Sequence, residues 1–347
     1  MKVIYSYIPY SQNSAGSDNY IQKELAYIFL LSVLNSNELY NHTELYTNEK
    51  QKLFFKKLGI PISKIDTQVL KHEKATCASI PKIRTYMAQK QKYIHLDLDT
   101  VLFTHLQHSS HSPVIFAHKD LYKPLNSFNE LKSIHNSYIQ PLIEAEAINK
   151  LDNWYLENYN HSELPNMNIV MVNEPEIMGQ ASSNAYNSYL KIRSIIDKEY
   201  LRFCLPEQGF IHLELKNLST LYRNAVECNS HVINLKQTTS IDFLKSPNEF
   251  PFWVNSNLYY SEKHFIGEME HLKQISNFNF GGAAHFLGDL KFNPYVICII
   301  LIKLKYLKKE NHIYQIFETY KDLYGEGLSE GEKLYEQVTG CKINKLI

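Results

Sequence analysis

The sequence predicts an α/β fold: a mostly parallel sheet flanked by helices, with a helical extension at the C-terminus. Three observations predict it. Strand-like and helix-like segments alternate through the first hundred residues, which is the pattern of βαβ units. Apolar residues recur at helical spacing between short strand-like runs. The composition, 44% hydrophobic and 21% charged over 347 residues, is that of an ordinary globular chain with volume for a core and a cleft.

In chain order, Val3 to Ile8 reads as the first strand. Asp18 is expected to cap a helix running through Leu25, Ile28, Phe29 and Leu31 to about Leu34. His42 to Thr47 reads as a second strand, and Glu49 to Leu58 as a helix stopped by Gly59 and Pro61. A third strand is expected near Thr67 to Leu70. Pro81 then suits the first turn of a helix over Lys82 to Gln89, where its missing amide costs little. Tyr93 to Leu96 and Val114 to Ala117 are strand-like, as is Asn168 to Val172, with a mainly helical, Asn-rich and Tyr-rich insertion before the last of them. From about Lys291 onward the chain favours helices, with breaks at Gly325 and Gly327.

Lys plus Arg and Asp plus Glu each total 36, so no global field draws in nucleic acid or an anionic membrane. The five cysteines (Cys77, Cys204, Cys228, Cys298, Cys341) are odd in number and lack a Cys-x-x-Cys pair, which argues for a reducing compartment. The N-terminus turns polar too soon for a signal peptide, and no run approaches the ~20 apolar residues of a membrane span. A cytoplasmic location is therefore expected. The stretch Tyr295 to Lys309, apolar and then basic, reads as a docked helix, with peripheral contact on a membrane surface as the alternative.

The segment Lys92 to Phe103, KYIHLDLDTVLF, sets an apolar strand before Asp97 and Asp99. Residues two apart on a strand project to one side, so both carboxylates are expected beyond its carboxyl end, where open parallel sheets bind ligands. Such a pair suits Mg²⁺ or Mn²⁺, hard ions that leave sites for substrate phosphates. The bland alternative is two acids in a solvated turn. Asp97-Leu-Asp99-Thr100-Val101-Leu102 also resembles the motif of haloacid-dehalogenase-like phosphatases, in which the first aspartate attacks phosphate. That motif belongs on the opening strand of its domain, however, whereas several βα elements come first here.

Residues 281 to 291, GGAAHFLGDLK, give His285-x-x-Gly288-x-x-Lys291. An imidazole can complete a metal shell, a glycine admits backbone close to phosphate, and a lysine supplies a point charge. With Asp97-x-Asp99, this motif resembles the retaining glycosyltransferases of GT-A-like fold, of the glycogenin-like and bacterial galactosyltransferase-like type. The resemblance departs at Phe292-Asn293-Pro294, where the family has Pro-Trp after the lysine.

The resemblance implies a Rossmann-type, GT-A-like catalytic domain over residues 1–290, with residues 291–347 as a helical extension packed on it. It implies a nucleotide diphosphate sugar as donor, a carbohydrate-containing acceptor, and a metal held by Asp97, Asp99 and His285. Donor contacts are expected from Lys82, Arg84, Asp97, Gly288 and Lys291. Asn166-Met-Asn168-Ile169 resembles the Asn-x-Gly-Ile segment lining the sugar site, with Asn168 in place of glycine. Glu207-Gln208 resembles the Asp-Gln segment beside the transferred sugar, where a carboxylate orients an acceptor hydroxyl or stabilises anomeric charge. A non-catalytic nucleotide- or carbohydrate-binding relative is a further reading.

His105, His108, His111 and His118 cluster loosely but lack partners at fixed offsets, so no zinc is assigned. Trp154, Tyr155 and Tyr159 are acceptor-site candidates by their ability to stack on a sugar ring.

Overall fold

A computed structural model describes residues 1–9, 20–73, 79–106, 113–116, 119–120, 164–165, 167–193, 283–286 and 291–345, with positions 211, 214, 215 and 218. The chain folds as a mixed α/β protein. Its strands are β1 (Lys2–Ser6), β2 (Thr43–Tyr46), β3 (Lys64–Asp66), β4 (Tyr93–Leu96), β5 (Thr100–Leu102), β6 (Val114–Phe116), β7 (Lys119–Asp120), β8 (Leu164–Pro165), β9 (Ile169–Val172) and β10 (Ala283–His285). Among the described residues the main sheet has six strands in the order β3-β2-β1-β4-β9-β6. Strands β1 to β4 pair in parallel, and β9 runs antiparallel to both β4 and β6. Two small antiparallel pairs, β10 with β5 and β7 with β8, lie outside this sheet.

Both faces of the sheet are covered, and the period of two in the strands shows it. Val3, Tyr5, Ile94, Leu96, Ile169 and Met171 face one core, with helices α1 (Lys23–Tyr40) and α2 (Glu49–Lys57) and the C-terminal helices. The alternate residues Ile4, Tyr93, Val170 and Val172 face a second core with α3 (Ser79–Ala88) and α4 (Pro175–Arg193). The result is a three-layer α/β/α arrangement.

The first helix begins at Lys23, with Gln22 at its N-cap making no side-chain bond, and ends in a left-handed Asn41. Asp18, the expected cap, lies outside the described residues. The second helix is capped by the Asn48 side chain, which accepts from the Gln51 amide. Gly59 follows it at φ 68°, where a Cβ would be strained. The third strand comes three residues earlier than expected. Asp66 Oδ1 accepts from the amides of Gln68 and Val69, and this side-chain turn takes residues 67 to 70 out of the sheet. Pro81 falls in the first turn of α3, as its missing amide permits.

Helices α5 (Pro294–Tyr306), α6 (Glu310–Tyr324) and α7 (Glu330–Thr339) close the chain, followed by a 3₁₀ turn at Ile343–Lys345. Helix α5 is buried from Val296 through Leu304, so the apolar stretch that starts at Tyr295 is core, packed on α1 and α7. Asn293 caps it and Pro294 opens it. Helix α7 starts with a capping box between Ser329 and Glu332. Among the described residues, no helix is long and apolar enough to cross a membrane.

A buried ion pair ties the ends of the chain together. Lys23 Nζ on α1 lies 2.9 Å from Glu332 Oε2 on α7, and the other Glu332 oxygen accepts from Tyr27 at 2.5 Å. Lys23 also donates to the Gly327 carbonyl, so this buried charge is matched on several sides, as burial demands. The expected insertion between residues 117 and 168 lies outside the described residues, apart from β7 and β8.

Candidate metal centre

In an open sheet with order 3-2-1-4, strand connections reverse between β1 and β4, and the crevice beyond the carboxyl ends of those strands is the ligand position. Strand β4 ends there at Leu96. Asp97 and Asp99, expected as neighbours on one side of an extended strand, belong instead to a turn. The Thr100 amide donates to the Asp97 carbonyl at 3.0 Å, closing a β-turn that joins β4 to β5.

Three backbone bonds define that turn. Besides the Thr100 bond, the Asp97 amide donates to the Asn168 carbonyl, and the Phe286 amide donates to the Asp99 carbonyl, each at 2.9 Å. The last continues the ladder of β5 with β10, in which Thr100 opposes His285, Val101 opposes Ala284 and Leu102 opposes Ala283. Two segments nearly two hundred residues apart are thereby placed in register. From α1, Ser32 Oγ and Asn35 Nδ2 donate to the carbonyls of Thr100 and Leu102.

The side chains converge accordingly. Asp97, Asp99 and His285 each present one ligand atom, and those atoms lie within 4.8 Å of one another. His285 Nε2 is 3.5 Å from Asp99 Oδ1, and Lys291 Nζ is 2.9 Å from Asp99 Oδ2. On the other acid, Lys82 Nζ of α3 stands 2.7 Å from Asp97 Oδ1. That oxygen is buried and has no aligned hydrogen bond among the described residues, so the contact is Coulombic. Burial by itself raises the Asp99 carboxyl, but the hydrogen bond and charge of His285, with the charge of Lys291, outweigh it. Asp99 is held well below the usual carboxylate range.

Behind the turn, His95 on β4 is fully buried. Its Nε2 lies 2.8 Å from Ser6 Oγ at the end of β1, and its ring meets Tyr86 of α3 edge to face. Burial, and then the positive charge of Lys82, push its pKa well below the ordinary imidazole range, so it is neutral at pH 7 and pins the carboxyl ends of β1 and β4 together.

The donor set fits a divalent ion. Two carboxylates and an imidazole form a mixed oxygen and nitrogen set, with one carboxylate oxygen lacking an aligned hydrogen bond. Carboxylates favour Mg²⁺ and Mn²⁺, and the imidazole favours Mn²⁺ of the two.

Other expected site residues fall differently. Lys82 reaches the acidic turn, whereas Arg84 Nε lies 3.5 Å from Glu73 and its guanidinium stacks over Tyr186. Residues two apart on a helix do not share a face, which separates the two cations. Asn168 is buried and meets the turn through its backbone carbonyl. Asn166, Glu207, Gln208 and Gly288 lie outside the described residues, as do His108, His111, His118, Trp154, Tyr155 and Tyr159. His105 packs edge to face on Tyr40.

The supports from Ser32, Asn35 and Phe286 were missed by sequence reasoning. Ser32 and Asn35 read as polar interruptions in an apolar helix, with no local signal of their partners. The runs Val101 to Phe103 and Ala283 to Phe286 are the faint trace of β5 and β10.

A family model described as "Family of unknown function (DUF6734)" matches residues 1–153. The match takes in both aspartates and Lys82 but not His285 or Lys291. No curated protein matches the chain.

Proposed function

We propose that this protein is a metal-dependent glycosyltransferase that moves a sugar from a nucleotide diphosphate sugar to an acceptor hydroxyl on a carbohydrate-containing molecule. One observation carries the reading: Asp97, Asp99 and His285 converge where the sheet order reverses, beside Lys82 and Lys291. A metal and two lysines at that position suit a diphosphate. The resemblance of Asp97-x-Asp99 and His285-x-x-Gly288-x-x-Lys291 to retaining glycosyltransferases of GT-A-like fold supports the choice of diphosphate sugar and favours retention of anomeric configuration.

Asp97, Asp99 and His285 would hold Mn²⁺ or Mg²⁺, which supplies Lewis-acid stabilisation of a leaving diphosphate. Lys291, close to Asp99, adds positive charge to the same region, and Lys82 does so from α3. His95 stays neutral and keeps β1 against β4, fixing the crevice in which a nucleotide would lie. Glu207 and Gln208 are assigned to the acceptor side by resemblance alone. The odd, scattered cysteines support a reducing, cytoplasmic location.

The test is a thermal-shift panel of nucleotide diphosphate sugars with Mn²⁺, followed by donor hydrolysis and NMR of the first-formed product. Stabilisation by one donor and its metal-dependent hydrolysis are expected. Binding without turnover would favour a non-catalytic binding module. Cleavage of p-nitrophenyl phosphate without nucleotide binding would favour a phosphatase built on Asp97 and Asp99.

A further inference from the structure

Each carboxylate of the metal-ligand set has its own ammonium partner. Lys82 stands against Asp97 at 2.7 Å and Lys291 against Asp99 at 2.9 Å. Among the described residues these two carboxylates and two ammonium groups balance, so a divalent ion entering alone meets two like charges within a few ångströms. The lysine contacts differ in kind. Lys82 meets Asp97 out of hydrogen-bond alignment, whereas Lys291 donates a formed bond to Asp99. Both ammonium groups ride on flexible four-carbon stems and can be carried several ångströms by rotamer changes alone.

We infer that Lys82 and Lys291 are placeholder cations. They neutralise Asp97 and Asp99 until a divalent ion and a diphosphate enter together, and then turn to the phosphate oxygens. This inference rests on the metal reading given above and adds a rule of binding to it. The metal alone meets carboxylates that are already paired with ammonium groups. The diphosphate alone sees lysines engaged with carboxylates. Together, the ion releases the lysines and the lysines capture the anion, so each ligand raises the affinity for the other by the same factor. On this reading the ion comes and goes with the diphosphate and is not a permanent part of the protein.

The distinguishing consequence runs against intuition, because deleting a positive charge that binds an anion should improve metal binding. Mn²⁺ alone is titrated by electron paramagnetic resonance into the wild-type protein, Lys82→Met, Lys82→Gln, Lys291→Met, Lys291→Gln and Asp99→Asn. Melting curves confirm that each variant is folded. Inorganic diphosphate is then titrated calorimetrically with and without Mn²⁺, subtracting the protein-free reaction. The lysine variants are expected to bind Mn²⁺ alone about tenfold more tightly than wild type. In the wild type, Mn²⁺ is expected to raise diphosphate affinity by about tenfold, a coupling that shrinks when either lysine is lost. If folded lysine variants bind Mn²⁺ no better than wild type while Asp99→Asn loses it, the placeholder role is overturned and the metal site stands. If no form binds Mn²⁺ with or without diphosphate, both fall.

Discussion

Thr100 and His285 lie directly opposite each other across β5 and β10, and that register brings the imidazole to 3.5 Å from Asp99. A candidate ligand nearly two hundred residues away in the chain is thus positioned by backbone pairing. Asp99→Asn and His285→Ala should each lower metal-dependent donor turnover by about two to three orders of magnitude, the usual cost of losing a preorganised charge partner. Melting without metal separates that loss from misfolding. Full metal-dependent turnover in Asp99→Asn would sink the assignment.

Lys23 and Glu332 are almost entirely excluded from solvent, at 2% and 0% side-chain exposure. Removing Lys23 leaves Glu332 a buried charge without its cation, which costs about 3–5 kcal/mol, whereas losing the Glu332 charge leaves Lys23 with the longer 3.6 Å contact to the exposed Glu326. Lys23→Met and Glu332→Gln should therefore lower the urea midpoint strongly. A paired apolar replacement, Lys23→Met with Glu332→Leu, should recover part of the loss. Equal destabilisation in the single and paired variants would show that the capping role of Glu332 and its bond to Tyr27 dominate.

Glu44 on β2 receives Lys2 at 2.9 Å, Tyr46 at 2.6 Å and His42 at 3.0 Å. Burial raises its pKa, but these bonds outweigh burial and bring the carboxyl down to about 2. An ordinary glutamate in the unfolded chain titrates near 4.3. The unfolded state therefore binds the proton first, so the stability from Glu44 is complete above about pH 4.3 and fades as pH falls through about 2. Glu44→Gln should be less stable than wild type at pH 6, with the gap closing towards pH 2. A gap independent of pH, measured by denaturant unfolding, would refute the assignment.

Gly331 sits in the first turn of α7 where α7 crosses α5. A Cβ there would come within 2.6 Å of Ile297 Cβ and 3.0 Å of the Pro294 carbonyl, neither of which is a flexible side-chain end. Alanine gains about 1 kcal/mol in intrinsic helix preference, whereas forcing the helices apart costs about 1–3 kcal/mol. The clash wins, and Gly331→Ala should lower the melting temperature by a few degrees. An unchanged or raised melting temperature would mean that the helices separate without cost.

The α/β class was legible because β1, β2 and β4 and the first three helices carry apolar patterns in alternation, with ordinary stop signals. Asp97, Asp99, His285, Lys82 and Lys291 stood out by residue type and spacing, although Asp-x-Asp alone also suits a solvated turn or a phosphatase, and the structure brings them together. Their arrangement was not legible. Strands β5 and β10 have three residues each, too few for alternation to declare itself, and they pair over a separation that local pattern does not encode. The two aspartates share a ligand position through a β-turn, not through strand parity. The third strand shifted because the Asp66 side chain captured two amides, a local competition that apolar counting does not register. Lys23 lies three hundred residues from its partner, and nothing local to it signals that pairing.

Helix α1 touches both ends of this design. Its N-terminal half grips α7 through Lys23 and Tyr27, and its middle holds the carbonyls of β5 through Ser32 and Asn35. The acidic turn is therefore moored to a rod whose far end is clamped by the last helix of the chain. Slack introduced at Glu332 would be felt as play in Asp99, so the C-terminal helices belong to the foundations of the candidate metal centre.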